Sequence, residues 1–228
     1  MEQTNHKTLP VITGLFVAVL LISNVASTKL VQFGSFTFDG GTLLFPISYI
    51  FGDVLTEVYG FRLARRTIWI GIVAQVLAVL LFALVGSLPA ASEWNQQPAY
   101  SSILLTTTRI VIASITAFLF GSWSNDVVMS VMKRLQQKKH LWQRTIGSTL
   151  IGEGLDTALF CTIAFYGTIS NELLWTIVAS NYIFKVGVEV VATPITYIVC
   201  NYLKRADHSD VVDYHHDYSP FALRINEH

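Results

Sequence analysis

The sequence predicts an all-α polytopic membrane protein, with six transmembrane helices and both termini on the cytoplasmic side. Three observations predict it. The 228 residues are 52% hydrophobic and only 13% charged, with a mean hydropathy of +0.51, whereas a soluble domain carries roughly 25% charged residues. Six stretches approach or exceed the ~20 mostly apolar residues needed to cross hydrocarbon. The Lys and Arg residues outside those stretches all fall on one side of the resulting topology.

The first span is expected at 10–30. The polar lead before it has no small-residue cleavage site, so it reads as a retained helix and not as a cleaved signal. The second, 41–59, is the most polar. It opens on Gly40-Gly41 and carries Pro46, which removes a helical hydrogen bond and frees a carbonyl. Such broken backbone at membrane depth is tolerated where it lines a cavity, although an ordinary kink reads the same way. The third span, 68–88, has no charge at all. The fourth is expected at 103–132 and the fifth at 146–167. The sixth, 173–203, includes Pro194 and is long enough to tilt or to project beyond the bilayer. Residues 1–205 are expected as a single six-helix membrane domain and 206–228 as a polar, mobile cytoplasmic tail.

Lys7, Arg62, Arg65, Arg66, Lys133, Arg134, Lys138, Lys139, Arg144, Lys204, Arg205 and Arg224 share one side, and the other side has no basic residue. The excess of positive charge marks the cytoplasmic face. An even number of spans also requires both termini on one side.

Nine ionisable residues then lie within the expected spans: Lys29, Asp53, Glu57, Arg109, Asp126, Glu153, Asp156, Lys185 and Glu189. Each costs at least ~2.5 kcal/mol in hydrocarbon even on the lenient insertion scale. Asp53 and Glu57 are four residues apart, as are Lys185 and Glu189, and Glu153 and Asp156 are three apart. Each pair therefore shares a helix face, which should point into the bundle. Counting from the span ends puts Asp53, Asp156 and Lys185 near the middle, Lys29 and Arg109 nearer the outside, and Asp126 and Glu57 nearer the inside. Interhelical ion pairs would account for part of this, and Lys185 with Glu189 could form a pair within one helix. Six acids against three bases leave three carboxylates without a cation. These must be protonated, hydrated or bound to something, and a cavity that takes a polar solute meets that need. Asn24, late in the first span, and Asn181, one turn before Lys185, supply amides. Phe45, Tyr49, Trp123 and Phe184 are candidates for stacking on a planar ligand.

Several classes of activity are excluded. Zero net charge leaves no basic footprint for nucleic acid. All six histidines lie outside the spans, which removes an intramembrane His-metal site, a Ser–His dyad and a haem ligand pair. Neither HExxH nor a P-loop is present. Gly52-Asp53 lacks the preceding glycine of intramembrane aspartyl proteases, since Ile50 stands there. Cys161 and Cys200 lie in apolar segments and are expected as reduced packing residues. No cofactor, no metal and no enzymatic activity are expected.

Phe-Pro-Ile-Ser-Tyr-Ile-Phe-Gly-Asp-Val-Leu-Thr-Glu-Val-Tyr-Gly (45–60) followed by Arg65-Arg66 resembles the queuosine precursor transporter family. So do Gly-Glu-Gly-Leu-Asp-Thr (152–157), Asn-Tyr-Ile-Phe-Lys-Val (181–186) and Asn-Val-Ala-Ser-Thr-Lys (24–29). The resemblance runs over about residues 10–205. It implies a vitamin-uptake-like six-helix protein of the inner membrane that takes up 7-deazaguanines, such as 7-cyano-7-deazaguanine, for salvage into the tRNA nucleoside queuosine. It places base-edge contacts at Glu153, Asp156 and Asp53, support at Asn24 and Asn181, stacking at Phe45, and Lys185 either on Asp156 or on a base carbonyl. Lys29, Glu57, Arg109, Asp126 and Glu189 become gate or scaffold residues. The partners implied are the small deazapurine and the lipid bilayer, with a homo-oligomer left open. The alternative is the substrate-capturing subunit of an energy-coupling-factor complex. Such subunits dock through an Ala-xxx-Ala face on the first helix, for which this chain has only Gly14-xxx-Ala18.

Overall fold

The computed structural model describes residues 7–26, 28–33, 36–105, 108–137, 139–167, 170–213 and 218–219. The elements run α1 (Leu9–Ala26), an antiparallel hairpin of β1 (Leu30–Phe33) and β2 (Phe36–Asp39), a 3-10 turn (Gly40–Leu43), α2 (Phe45–Tyr59), α3 (Phe61–Ser87), α4 (Gln97–Leu104), α5 (Thr108–Leu135), α6 (Leu141–Phe165) and α7 (Asn171–Ala206). Among the described residues, three helices are long and apolar enough to cross a membrane by length and composition alone: Leu9–Ala26, Phe61–Ser87 and Leu174–Ala206. Leu77, Leu80, Leu81 and Leu84 on α3, and Ile183, Val191, Ile195 and Ile198 on α7, face outward. An apolar exterior of that extent belongs against lipid.

The central element is α2, which packs against α1, α3, α5 and α7. Its inward residues include Ser48, Tyr49, Asp53, Thr56 and Glu57. This explains why it failed to read as a clean apolar span: protein, not lipid, surrounds it. At 15 residues it rises about 22 Å, short of a ~30 Å hydrocarbon core.

Three expected boundaries change. The first span stops at Ala26, and Lys29 sits exposed in the turn before the hairpin. The second is not one helix from 41 to 59. The 3-10 turn covers Gly40–Leu43, and Pro46 falls in the first turn of α2, where its missing N–H costs no helical bond. Pro46 therefore starts a helix and does not kink one. The loop expected before the fourth span contains α4, whose eight residues cannot cross a bilayer. Pro194, as expected, lies inside α7.

The tightest helix pair is α5 with α6, and two glycines make it so. A Cβ on Gly152 would lie 2.7 Å from the Asn125 Cβ and 3.0 Å from the Gly121 carbonyl, and one on Gly121 would lie 2.7 Å from the Asp156 Cβ. Gly152→Ala should therefore push the helices apart and cost about 1–3 kcal/mol in thermal unfolding. Because Asp156 is one turn away, the same variant should also weaken ligand binding. Unchanged melting would show that the contact relaxes freely.

One end of the bundle gathers the ends of α2, α5 and α7 and the starts of α1, α3 and α6. There Asp207 accepts hydrogen bonds from the Thr8 backbone N–H (3.2 Å), the Thr8 hydroxyl (2.7 Å) and the Tyr59 hydroxyl (2.9 Å). The start of the expected tail thus packs across this end. Asp213 is buried and accepts from the Phe61 backbone N–H (3.0 Å) and the Ser130 hydroxyl (2.8 Å). Val211 lies so close to Gly60, at φ +84°, that a Cβ there would meet it at 2.8 Å. Asp213→Ala strands a buried N–H and should cost about 1–3 kcal/mol, read as a lower unfolding temperature. A melting point equal to wild type would mean that the strap adds nothing to the bundle.

Candidate membrane substrate site

In the half of the bundle away from that end, the structure brings one cavity together. Asn24 comes from the last turns of α1, Gly41 and Thr42 from the 3-10 turn, and Phe45 from the start of α2. Ser114 and Ala117 come from α5, Asp156, Thr157, Phe160 and Cys161 from α6, and Asn181 and Lys185 from α7. Its volume is about 60 Å³, several times the roughly 10–15 Å³ that admits one water. The walls are held by local bonds. The Ser23 hydroxyl donates to the Gly41 carbonyl at 3.1 Å, which fixes α1 against the 3-10 turn. The Ser48 hydroxyl caps the Phe45 carbonyl at 2.6 Å.

The floor is an ion triad. Lys185 Nζ lies 2.7 Å from Asp156 Oδ2 and 3.0 Å from Glu153 Oε2. The same ammonium stands 4.7 Å from the centre of the Phe45 ring, a cation–π contact. Asp156 Oδ1 and Thr157 Oγ1 are buried without a hydrogen-bond partner among the described residues. The cavity therefore presents a carboxylate oxygen and a hydroxyl that can take N–H groups, an ammonium that can donate, two amides, and the rings of Phe45 and Phe160. No histidine lies among its lining residues.

Of the residues singled out in the sequence, Asn24, Phe45, Asp156, Asn181 and Lys185 line this cavity. Glu153 stands behind it, joined through Lys185. Asp53 does not reach it. Its Oδ1 accepts from Asn125 Nδ2 at 2.7 Å and from the Ser148 hydroxyl at 3.2 Å, in a separate polar layer. Counting from span ends misjudged its depth because α2 starts late. The helical pair of Lys185 with Glu189 does not form, since Lys185 turns to α6. Asp126 is buried in the layer of Asp53, beside Thr56 and Asn125. The Arg109 side chain lies outside the described residues. Among the other stacking candidates, Tyr49 is buried beneath Phe45, with ring centres 6.1 Å apart. The Trp123 indole N–H donates to the Tyr218 carbonyl at 2.6 Å, far from the cavity. Thr42, Ser114, Thr157 and Phe160 were missed. Their only sequence signal was the polar or aromatic residue facing the same way as a neighbouring charge.

Glu57 belongs to neither layer. It binds Arg144, with Nη2 to Oε1 at 2.9 Å and Nε to Oε2 at 3.2 Å, and Lys204 Nζ at 2.5 Å, while Lys133 lies 3.8 Å away. Three cations counted as loop residues thus fold inward onto it.

An apolar exterior around a small internal cavity that carries charged and amide groups is the build of an integral membrane protein. Residues 39–199 match the model of a family described as putative vitamin uptake transporter. A probable queuosine precursor transporter of Bacillus subtilis (strain 168) is 30% identical over 81% of this chain and 82% of its own. The queuosine precursor transporter of Escherichia coli (strain K12) is 27% identical over 92% and 95%. A probable queuosine precursor transporter of Haemophilus influenzae is 27% identical over 75% and 72%. The chain belongs to this family of queuosine precursor transporters, a family of transporters and not of enzymes. No solved structure matches it at a significant level.

Proposed function

We propose that this protein imports a 7-deazaguanine precursor of queuosine across the inner membrane, binding it in the cavity between α1, α2, α5, α6 and α7. The observation that carries the reading is Asp156, which faces the cavity with one oxygen on Lys185 and the other without a hydrogen-bond partner among the described residues. A guanine-like edge offers adjacent N–H donors to that oxygen. The base carbonyl takes Lys185 or an amide of Asn24 or Asn181, and the base plane lies against Phe45. Six helices, α1, α2, α3, α5, α6 and α7, cross the bilayer, α2 with the help of the preceding 3-10 turn, which adds about 8 Å. The end carrying Arg62, Arg66, Arg134 and Arg205 faces the cytosol, where Glu57 and the 207–213 strap close the inner side.

Uptake of radiolabelled 7-cyano-7-deazaguanine into proteoliposomes holding only this chain tests the proposal. Wild type should take it up saturably. Asp156→Asn removes a charge-assisted acceptor and should lower affinity about 10- to 100-fold. Saturable binding without transport would favour the energy-coupling subunit, for which the outward-facing Gly14 and Ala18 of α1 offer a docking stripe. No binding would exclude the substrate.

A further inference from the structure

In the cavity and the polar layers beside it, carboxyl groups outnumber cations. Asp53, Asp126, Glu153, Asp156 and Glu189 are all at most 3% exposed. Among the described residues, Lys185 is the one cation that ion-pairs with any of them. Glu189 and Asp126 are the least compensated among the described residues, and of the two Glu189 is the neighbour of the triad's Glu153. Neither carboxyl oxygen of Glu189 has a hydrogen-bond partner among the described residues. The two helices packed on α7 each bring a carboxylate near enough to repel it, Asp53 from α2 and Glu153 from α6. The cations of these elements are engaged elsewhere. Lys185, one turn back on α7, points to Asp156 and Glu153, while Arg144 of α6 and Lys204 of α7 are held by Glu57 of α2. An ionised Glu189 would stand between two like charges in a low-dielectric interior. A metal ion is not the remedy, since no group of three acidic, His or Cys residues among those described is arranged to hold one.

We propose that Glu189 is a proton-binding site that loads and unloads once per transport cycle and couples uptake to the proton gradient. The inference rests on the transporter reading above. Glu153 is the link, because it pairs with Lys185 and its charge acts on Glu189. A substrate that draws on Lys185 or Asp156 changes the charge felt at Glu153, and so the proton affinity of Glu189. By reciprocity, a proton on Glu189 changes substrate affinity. Asp53, and beyond it Asp126, offer carboxyl groups toward the basic end through which the proton leaves. The step is protonation of a carboxylate by water-borne H⁺ and its reversal, and no other bond changes.

The test uses proteoliposomes in sodium-free choline buffer, with potassium and valinomycin clamping the membrane potential. With wild type and one proton per neutral 7-cyano-7-deazaguanine, each unit of outside acidification should raise the inside-to-outside ratio about tenfold. Glu189→Gln should still exchange labelled for unlabelled substrate but should concentrate none in response to the gradient. A wild type that exchanges substrate yet ignores the pH gradient overturns the coupling and leaves the transporter reading intact. So does a Glu189→Gln protein that concentrates substrate as wild type does. A wild type that neither binds nor exchanges the base removes the transporter reading and this inference with it. Should Glu189→Gln fail to fold, a pH dye in weakly buffered detergent decides with wild type alone. Proton uptake on substrate addition supports the site, and its absence overturns it.

Discussion

Lys185→Met should abolish binding of the deazaguanine and lower stability by about 3–5 kcal/mol. The ammonium stands within 3.0 Å of both Glu153 and Asp156, and all three groups are buried. Removing it strands two carboxylates beside each other, away from water. That penalty is larger than the net worth of the ion pairs themselves, because each charge was desolvated on folding whether or not its partner remains. A triple variant separates the two roles of the lysine. Glu153→Gln, Asp156→Asn and Lys185→Met together leave neutral groups of similar shape, and such replacement of a buried ionic cluster is commonly neutral or stabilising. The triple variant should therefore melt near wild type in detergent. It should still bind no substrate, since the carboxylate, the ammonium and the cation over Phe45 are all gone. If Lys185→Met alone melts and binds as wild type does, the triad is neither a structural element nor part of the site.

The charged pairs were legible in the sequence because hydrocarbon penalises an exposed charge so heavily. Spacings of three and four residues sufficed to put Asp53 with Glu57 and Glu153 with Asp156 on inward faces, and the structure buries all four. Asn181 was singled out by its place one turn before Lys185, Asn24 by its place late in the first span, and Phe45 as an aromatic candidate for stacking. Relations between helices were not legible. Asp53 was given the depth of Asp156 because spans were counted as uniform helices, whereas its bond to Ser148 sets it about two turns of α6 nearer the basic end than Asp156. The hairpin itself was hidden, since its strands are only four residues each and fall between two expected spans. Lys133, Arg144 and Lys204 were read as markers of sidedness, and that reading is silent on where a long side chain ends. Their stems lie along the bundle and their heads meet at Glu57, a meeting of four helices that no local pattern encodes. The tail read as polar and mobile for the same reason: the partners of Asp207 and Asp213 are about 80 to 200 positions away.

Glu57→Gln should be the most destabilising single change at the basic end, by about 3–5 kcal/mol. Glu57 and Arg144 are both fully buried, and the guanidinium grips the two carboxylate oxygens at once, the strongest form of such a pair. With the charge removed, Lys133 and Lys204 keep Asp210, at 2.8 and 3.0 Å. Among the described residues, Arg144 then retains only the Lys139 carbonyl. The loss therefore falls mainly on the link between α2 and α6. A double-mutant cycle measures it: Glu57→Gln with Arg144→Gln should cost well under the sum of the two single variants, because the second change removes the charge that the first one stranded. Additive costs would mean that the pair contributes little. The cavity lies at the other end of the bundle, so protein that folds despite Glu57→Gln should keep its affinity for the deazaguanine, unlike Lys185→Met. A Glu57→Gln protein that melts with wild type would show that its three cations find other partners, and that this carboxylate is not what ties α2, α5, α6 and α7 together.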